Sequence, residues 1–264
     1  MELTVKHSID DCVASITLNS PSTGNVINQS NLKLLENCIR QSIDAEDCRV
    51  IVLQGKDGVF SKGMDFKGLT GKAAFDNQLT EPYKNILKLI HHSPKPVIAF
   101  VDGEVLAGGM GLALCCDIVL ATRRSSFGLS EVMFGLIPAL VTPVLLKRLP
   151  IKKAQYLILS SKTLSADEAL TMGLIDELCR DGELARKHLK TCISRLLYSS
   201  PKALTLAKSF IASIQDQSFE TALDQAQDQL TSLMNDDANT SAIQAFLAGD
   251  KPDWAVAYKG KNLS

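Results

Sequence analysis

Residues 101–121 read VDGEVLAGGMGLALCCDIVLA, and the stretch changes character twice. The run Val97–Val101 that leads into it is apolar and has the length of a buried strand; Ile118–Thr122 at its far end is a second such run. Between them, Ala107-Gly108-Gly109 opens an apolar segment that reads as the start of a helix. Strand, glycine turn, helix and strand in that order make a βαβ unit. Two adjacent glycines without Cβ atoms let main-chain N–H groups come close to a ligand, and a helix N-terminus points its unpaired amides and positive dipole end at the same spot. Taken alone, such a turn is equally well a structural bend.

The same rhythm extends outward from this unit. Val13–Leu18 alternates like a strand, residues 31–43 place Leu32, Leu35, Ile39 and Ile43 at helical spacing, and residues 50–54 read as another buried strand. A second glycine turn, VFSKGMDF at 59–66, follows a strand and sets Gly63 among polar residues. At SADEALTMGLID, Ser165 is an N-cap with Glu168 three residues on, and Gly173 sits where a C-cap belongs. Beyond that point only helices are expected: residues 184–197, then 202–214 with Pro201 at the helix start, then Phe219–Met234. With no linker and no tandem repeat, the reading is an α/β core domain over 1–195 and a helical region over 196–264. The apolar faces of those last helices are expected to meet a partner subunit.

Bulk properties narrow the function classes. The chain has 264 residues, 45% hydrophobic and 22% charged, which suits a globular protein with one large core. Lys and Arg total 28 against 29 Asp and Glu, so there is no net field to attract nucleic acid or an anionic membrane. The N-terminal residues carry no basic-then-apolar leader pattern, and the apolar runs are too short to span a bilayer; a cytoplasmic address is expected. Seven scattered cysteines fit reduced core residues better than a disulfide framework. Four histidines without an HExxH pattern give no reason to expect a metal.

FSKGMDF, the run VDGEVLAGGMGLAL, CDIVLATRRSSFGLSE and GLID at 173–176 resemble, in order, the signatures of the crotonase (enoyl-CoA hydratase/isomerase) superfamily. The resemblance implies a spiral of ββα repeats with a C-terminal helical trimerisation region, hence a homotrimer or hexamer. It also implies an oxyanion hole of two backbone amides, carried over by position to the N–H groups of Lys62 and Gly108. Such donors hold a thioester carbonyl oxygen as it gains charge and are worth about 3 to 4 kcal/mol each. Met64, Asp65, Tyr83, Gly109 and Gly111 are the candidate substrate-binding residues, with Asp65 equally explained as a turn residue and Tyr83 as a core tyrosine.

Hydratases of this family use two glutamates, and the positions that match here are Gly111 and Glu131. Only the carboxylate that handles the α-proton is present. Glu131 lies in FGLSEVMFGLIPA among apolar neighbours, where desolvation should raise its pKa and suit it to proton transfer near neutrality; its bland explanation is a first-turn glutamate beside a Ser130 cap. A glycine at 111 is expected to leave volume for a branched acyl chain. Residues 138–159, PALVTPVLLKRLPIKKAQYLIL, replace the glycine-rich run that usually follows the second glutamate. Together with AGDKPDW, where Trp254 reads as an anchor for the tail, they resemble the polyketide β-branching dehydratases. That resemblance implies dehydration of 3-hydroxy-3-methylglutaryl groups carried on an acyl carrier protein, with no cofactor beyond the coenzyme A or phosphopantetheine arm. The alternatives are a Δ3,Δ2-enoyl-CoA isomerase, another hydratase-like enzyme, or a non-catalytic acyl-binding scaffold.

Overall fold

The computed structural model describes residues 4–65 and 77–260. Phe66, the last residue of the second glycine motif, lies outside them. The chain winds through ββα repeats: β1 (Val5–Asp10), β2 (Val13–Leu18) and α1 (Gln29–Asp44); then β3 (Val50–Gly55), β4 (Val59–Ser61) and α2 (Asn77–His91); then β5 (Val97–Val101), β6 (Glu104–Leu106) and α3 (Gly108–Leu114). A fourth turn runs from β7 (Ile118–Thr122) and β8 (Ser126–Gly128) to α4 (Thr142–Arg148) and α5 (Ile151–Ser160). β9 (Leu164–Ser165), α6 (Ala166–Met172), β10 (Glu177–Cys179) and α7 (Gly182–Tyr198) complete the core, and α8 (Pro201–Ile214), α9 (Phe219–Met234) and α10 (Asp237–Ala248) follow. The expected crotonase spiral with its C-terminal helical region is the fold observed.

The first repeat keeps both strands in one sheet, and the next three divide theirs between that sheet and a second, smaller one. The large sheet has six strands in the order β1-β2-β3-β5-β7-β10, and the small sheet has four in the order β4-β6-β8-β9. Both faces of the large sheet are covered, which is why its strands read as unbroken apolar runs. Ile51 and Leu53 of β3 point into the main core with Leu32, Leu35 and Ile39 of α1, while Val50 and Val52 point to the opposite face against Leu189, Ile193 and Leu197 of α7.

Two expectations are corrected here. The region beyond Ser165 is not wholly helical, because Glu177–Cys179 adds a parallel strand to β7 at the sheet edge; three residues are too short to show a period-two pattern. The core also does not stop at residue 195, since α7 continues to Tyr198 with Leu197 fully buried. The tail returns to this end of α7, where the Val256 amide donates to the Leu197 carbonyl at 3.1 Å and the Arg49 guanidinium donates to the carbonyls of Ser199 and Trp254. No described helix is long and apolar enough to cross a membrane.

Candidate active site

The small sheet brings the two glycine turns together. β4 and β6 pair in parallel, so the chain leaves both strands at the same edge, at Lys62-Gly63 and at Ala107-Gly108. The contact is close enough to require glycine. A Cβ on Gly109 would lie 2.4 Å from the Ser61 carbonyl oxygen, and one on Gly63, whose φ is +83°, would lie 2.7 Å from the Ala107 Cβ. Ala107 itself sits at φ 48° and ψ −123°, a sparsely populated conformation for a residue with a side chain. Such strain persists only where the surroundings hold it and is concentrated at functional sites.

Gly108 is the first residue of α3, so its N–H is one of those a helix leaves without an internal acceptor. Lys62, the other expected donor, is ruled out: its N–H donates to the Gly24 carbonyl at 2.9 Å. The reason is a short parallel bridge between Ile27 and Met64, in which the Ile27 amide donates to the Gly63 carbonyl at 2.7 Å and the Asp65 amide to the Ile27 carbonyl at 3.0 Å. Main-chain groups of an extended residue alternate in direction, so Met64 turns its own amide away from Ile27. Gly63 donates to the Ser61 hydroxyl at 3.2 Å. Among the described residues the Met64 N–H has no backbone acceptor, so Met64 and Gly108 are the candidate pair of oxyanion amides in the two turns. The Lys62 side chain runs across Gly24 and ends on Glu104 at 2.9 Å.

Tyr83, on α2, is fully buried, and its hydroxyl donates to the Gly108 carbonyl at 2.6 Å. It is a core tyrosine that holds the carbonyl of the Gly108 turn. Gly111 leaves no volume, contrary to expectation: a Cβ there would lie 2.0 Å from the Tyr83 Oη and 3.3 Å from the Val141 Cγ2. The space of the missing side chain is taken by the Tyr83 phenol and bordered by Val141. Asp65 is half-buried at the end of the Met64 bridge.

Glu131 begins a 3-10 turn, Glu131–Phe134, that follows β8 and the buried Leu129 and closes at Gly135 with φ 75°. Ser130 makes no side-chain cap bond, so capping does not account for the pair. One carboxylate oxygen, Oε2, is buried with no hydrogen-bond partner among the described residues, an arrangement that costs free energy unless a ligand uses it. Burial pushes the Glu131 pKa above its ordinary 4.5, partly opposed by the backbone amides of Glu131 and Ser130. The charge of Glu131 is also felt at Tyr83, where it adds to the rise in the phenol pKa caused chiefly by burial.

Two backbone amides in touching glycine turns, a strained residue before one of them and a carboxylate whose pKa burial raises are groups of the kind that can stabilise a thioester enolate and move its α-proton. The chain belongs to the enoyl-CoA hydratase/isomerase family, whose model matches residues 8–257. It is 33% identical over 243 residues to the bacillaene synthase dehydratase PksH of Bacillus subtilis, covering 88% of this chain and 90% of that one. It is 29% identical over 248 residues to the mitochondrial enoyl-CoA hydratase domain-containing protein 3 of Rattus norvegicus, covering 93% and 82%. The crystal structure of the human enoyl coenzyme A hydratase domain-containing protein 3 superposes with a TM-score of 0.89 at 26% identity, over 96% of this chain and 100% of that one. The chain is accordingly an enzyme of the hydro-lyase class.

Proposed function

We propose that this enzyme dehydrates a 3-hydroxy-3-methylglutaryl thioester carried on an acyl carrier protein, giving a 3-methylglutaconyl thioester. The observation that carries the reading is the half-buried Glu131 carboxylate, whose Oε2 is buried without a hydrogen-bond partner among the described residues, combined with a filled position at Gly111. Hydration needs one group to handle water and another to handle the α-proton. Elimination from a tertiary alcohol can run through one group. The thioester carbonyl oxygen accepts hydrogen bonds from the Met64 and Gly108 amides; ionised Glu131 removes a C2 proton; the enolate charge rests on the oxygen between the amides. As the enolate collapses, the C3–O bond breaks, the C2–C3 double bond forms, and the proton on Glu131 passes to the departing hydroxide as water. Glu131 ends ionised, ready for a second turn.

The likeness to a dehydratase of bacillaene synthesis supports elimination over a double-bond shift. The reaction needs no cofactor beyond the phosphopantetheine or coenzyme A arm, and an acyl carrier protein is the partner it implies. We infer a homotrimer or dimer of trimers from the C-terminal helices, in which α8, α9 and α10 contain no buried residue, and a cytoplasmic setting from the carrier-borne substrate. The test is to incubate the protein with the carrier-bound substrate and, separately, with a 3-enoyl-CoA. Loss of one water from the first, with the second unchanged, supports dehydration; isomerisation of the second alone assigns an isomerase, and tight binding without turnover of either assigns a scaffold.

A further inference from the structure

One atom serves both the oxyanion turn and the empty position on α3. The Tyr83 Oη lies 2.6 Å from the Gly108 carbonyl oxygen, to which it donates, and a Cβ on Gly111 would stand 2.0 Å from that same Oη. A side chain at 108 would also press on Tyr83, its Cβ lying 3.6 Å from the hydroxyl and 3.1 Å from the Ile27 Cδ1. The phenol thus packs against the first turn of α3 at two of its glycines, Gly108 and Gly111.

The position of Gly108 needs a hold. Ala107 before it occupies a strained conformation, and a strained turn relaxes unless neighbouring groups over-determine it. A bond to the Gly108 carbonyl fixes the plane of the next peptide and thereby the orientation of the first helical turn, whose leading amide is the Gly108 N–H. Tyr83 is suited to that task because α2 clamps it in the main core, where Ile86 and Ile90 are also buried. Burial, then the charges of Cys115 and Glu131, raise its pKa, so the hydroxyl keeps its proton and remains a donor across the working range of pH.

We propose that Tyr83 is the positioning residue for the Gly108 amide and, through the same hydroxyl, the group that excludes a second acid from the site. The enzyme uses one carboxylate because a phenol stands where the other would hang. This rests on the reading that Met64, Gly108 and Glu131 act on an acyl thioester.

Four proteins test it: wild type, Tyr83→Phe, Gly111→Glu and Tyr83→Phe/Gly111→Glu. Three readouts are taken: the melting temperature, the exchange of C2 hydrogens of butyryl-CoA in deuterium oxide, and the hydration of crotonyl-CoA. Exchange reports enolate formation without requiring the branched substrate. Tyr83→Phe is expected to melt near wild type and to lose about tenfold in kcat for exchange, with KM within about twofold, as for a group that acts on transition-state stabilisation. Gly111→Glu is expected to melt lower; removing the Oη in the double variant leaves the ring carbon Cζ, 3.2 Å from the new Cβ, as the nearest atom, and should recover at least half of that loss. Such recovery is the coupling expected of two groups in contact. The double variant should hydrate crotonyl-CoA at least about tenfold faster than wild type. Tyr83→Phe exchanging at the wild-type rate, or losing kcat only together with its melting temperature, overturns the positioning role. A double variant as unstable as Gly111→Glu, or no better than wild type with crotonyl-CoA, overturns the exclusion. Wild type that exchanges C2 hydrogens yet leaves the carrier-bound substrate intact overturns only the substrate reading, and the melting temperatures test the exclusion without any turnover.

Discussion

A Cβ placed on Gly63 would stand 3.0 Å from the Gly108 nitrogen, so the two turns that supply the amides touch at a residue with no side chain to spare. That separation is tighter than ordinary carbon–nitrogen contact, and Gly63 also needs its positive φ of 83°. Gly63→Ala should therefore push the Met64 and Gly108 amides apart while leaving the sheets intact. The expected result is a fall in kcat of about a hundredfold or more, with an unchanged far-ultraviolet circular dichroism spectrum. A kcat within about threefold of wild type would show that neither amide carries the oxyanion.

Glu131→Gln preserves shape and removes the proton carrier. Turnover should drop by at least about a hundredfold, the range for a lost general acid–base group, with a far smaller change in acyl-thioester affinity. Because burial raises the Glu131 pKa and the ionised form is the one that takes the α-proton, the acid limb of the wild-type kcat/KM profile should lie above the ordinary 4.5. A limb at or below that value contradicts the desolvated carboxylate.

The same shift has a consequence for stability. A carboxyl whose folded pKa exceeds its unfolded pKa binds its proton more tightly when folded, so ionising it disfavours the fold. Below about 4.5, where both states are protonated, Glu131 contributes no such penalty; the penalty grows as pH rises through the raised folded value and is complete above it. Glu131→Gln should thus melt higher than wild type at pH 7 and nearly equal to it at pH 4. Differential scanning calorimetry at the two pH values checks the sign, and a variant that melts lower at pH 7 contradicts it.

Much of the scaffold was legible because its signals are local. Val13–Leu18, Val97–Val101 and Ile118–Thr122 are strands with the bounds their apolar runs gave, and Ser165 with Glu168 forms the expected capping box, closed by Gly173 in the left-handed region. Glu131 stood out by its apolar neighbours. What was not legible depends on distant pairings. Whether Lys62 or Met64 offers the free amide is decided by the bridge to Ile27, more than thirty positions away along the chain, and nothing in FSKGMDF encodes that direction. A glycine at 111 read as open space because the phenol that fills it comes from another helix. The strands of the small sheet are two or three residues long, too short for any periodicity.

The C-terminal helices make a further prediction. Phe219, Phe246 and Leu247 are 73%, 73% and 78% exposed, and the three helices α8 to α10 place no residue in the core, which leaves large apolar side chains for a partner subunit to cover. Sedimentation at micromolar concentration should give a trimer or hexamer, and replacing Phe219, Phe246 and Leu247 together with Ser should yield a smaller species. A wild-type monomer at that concentration contradicts the assembly.

The most direct test of the account as a whole is mass spectrometry of a carrier protein loaded with the 3-hydroxy-3-methylglutaryl group, before and after incubation with the enzyme, alongside hydration of crotonyl-CoA by the same preparation. A single carboxylate poised for elimination predicts loss of one water from the loaded carrier with wild type, no loss with Glu131→Gln, and poor hydration of crotonyl-CoA. An intact carrier together with crotonyl-CoA hydration at about 10 per second or more, a rate typical of efficient enzymes, would contradict it and require another residue to activate water.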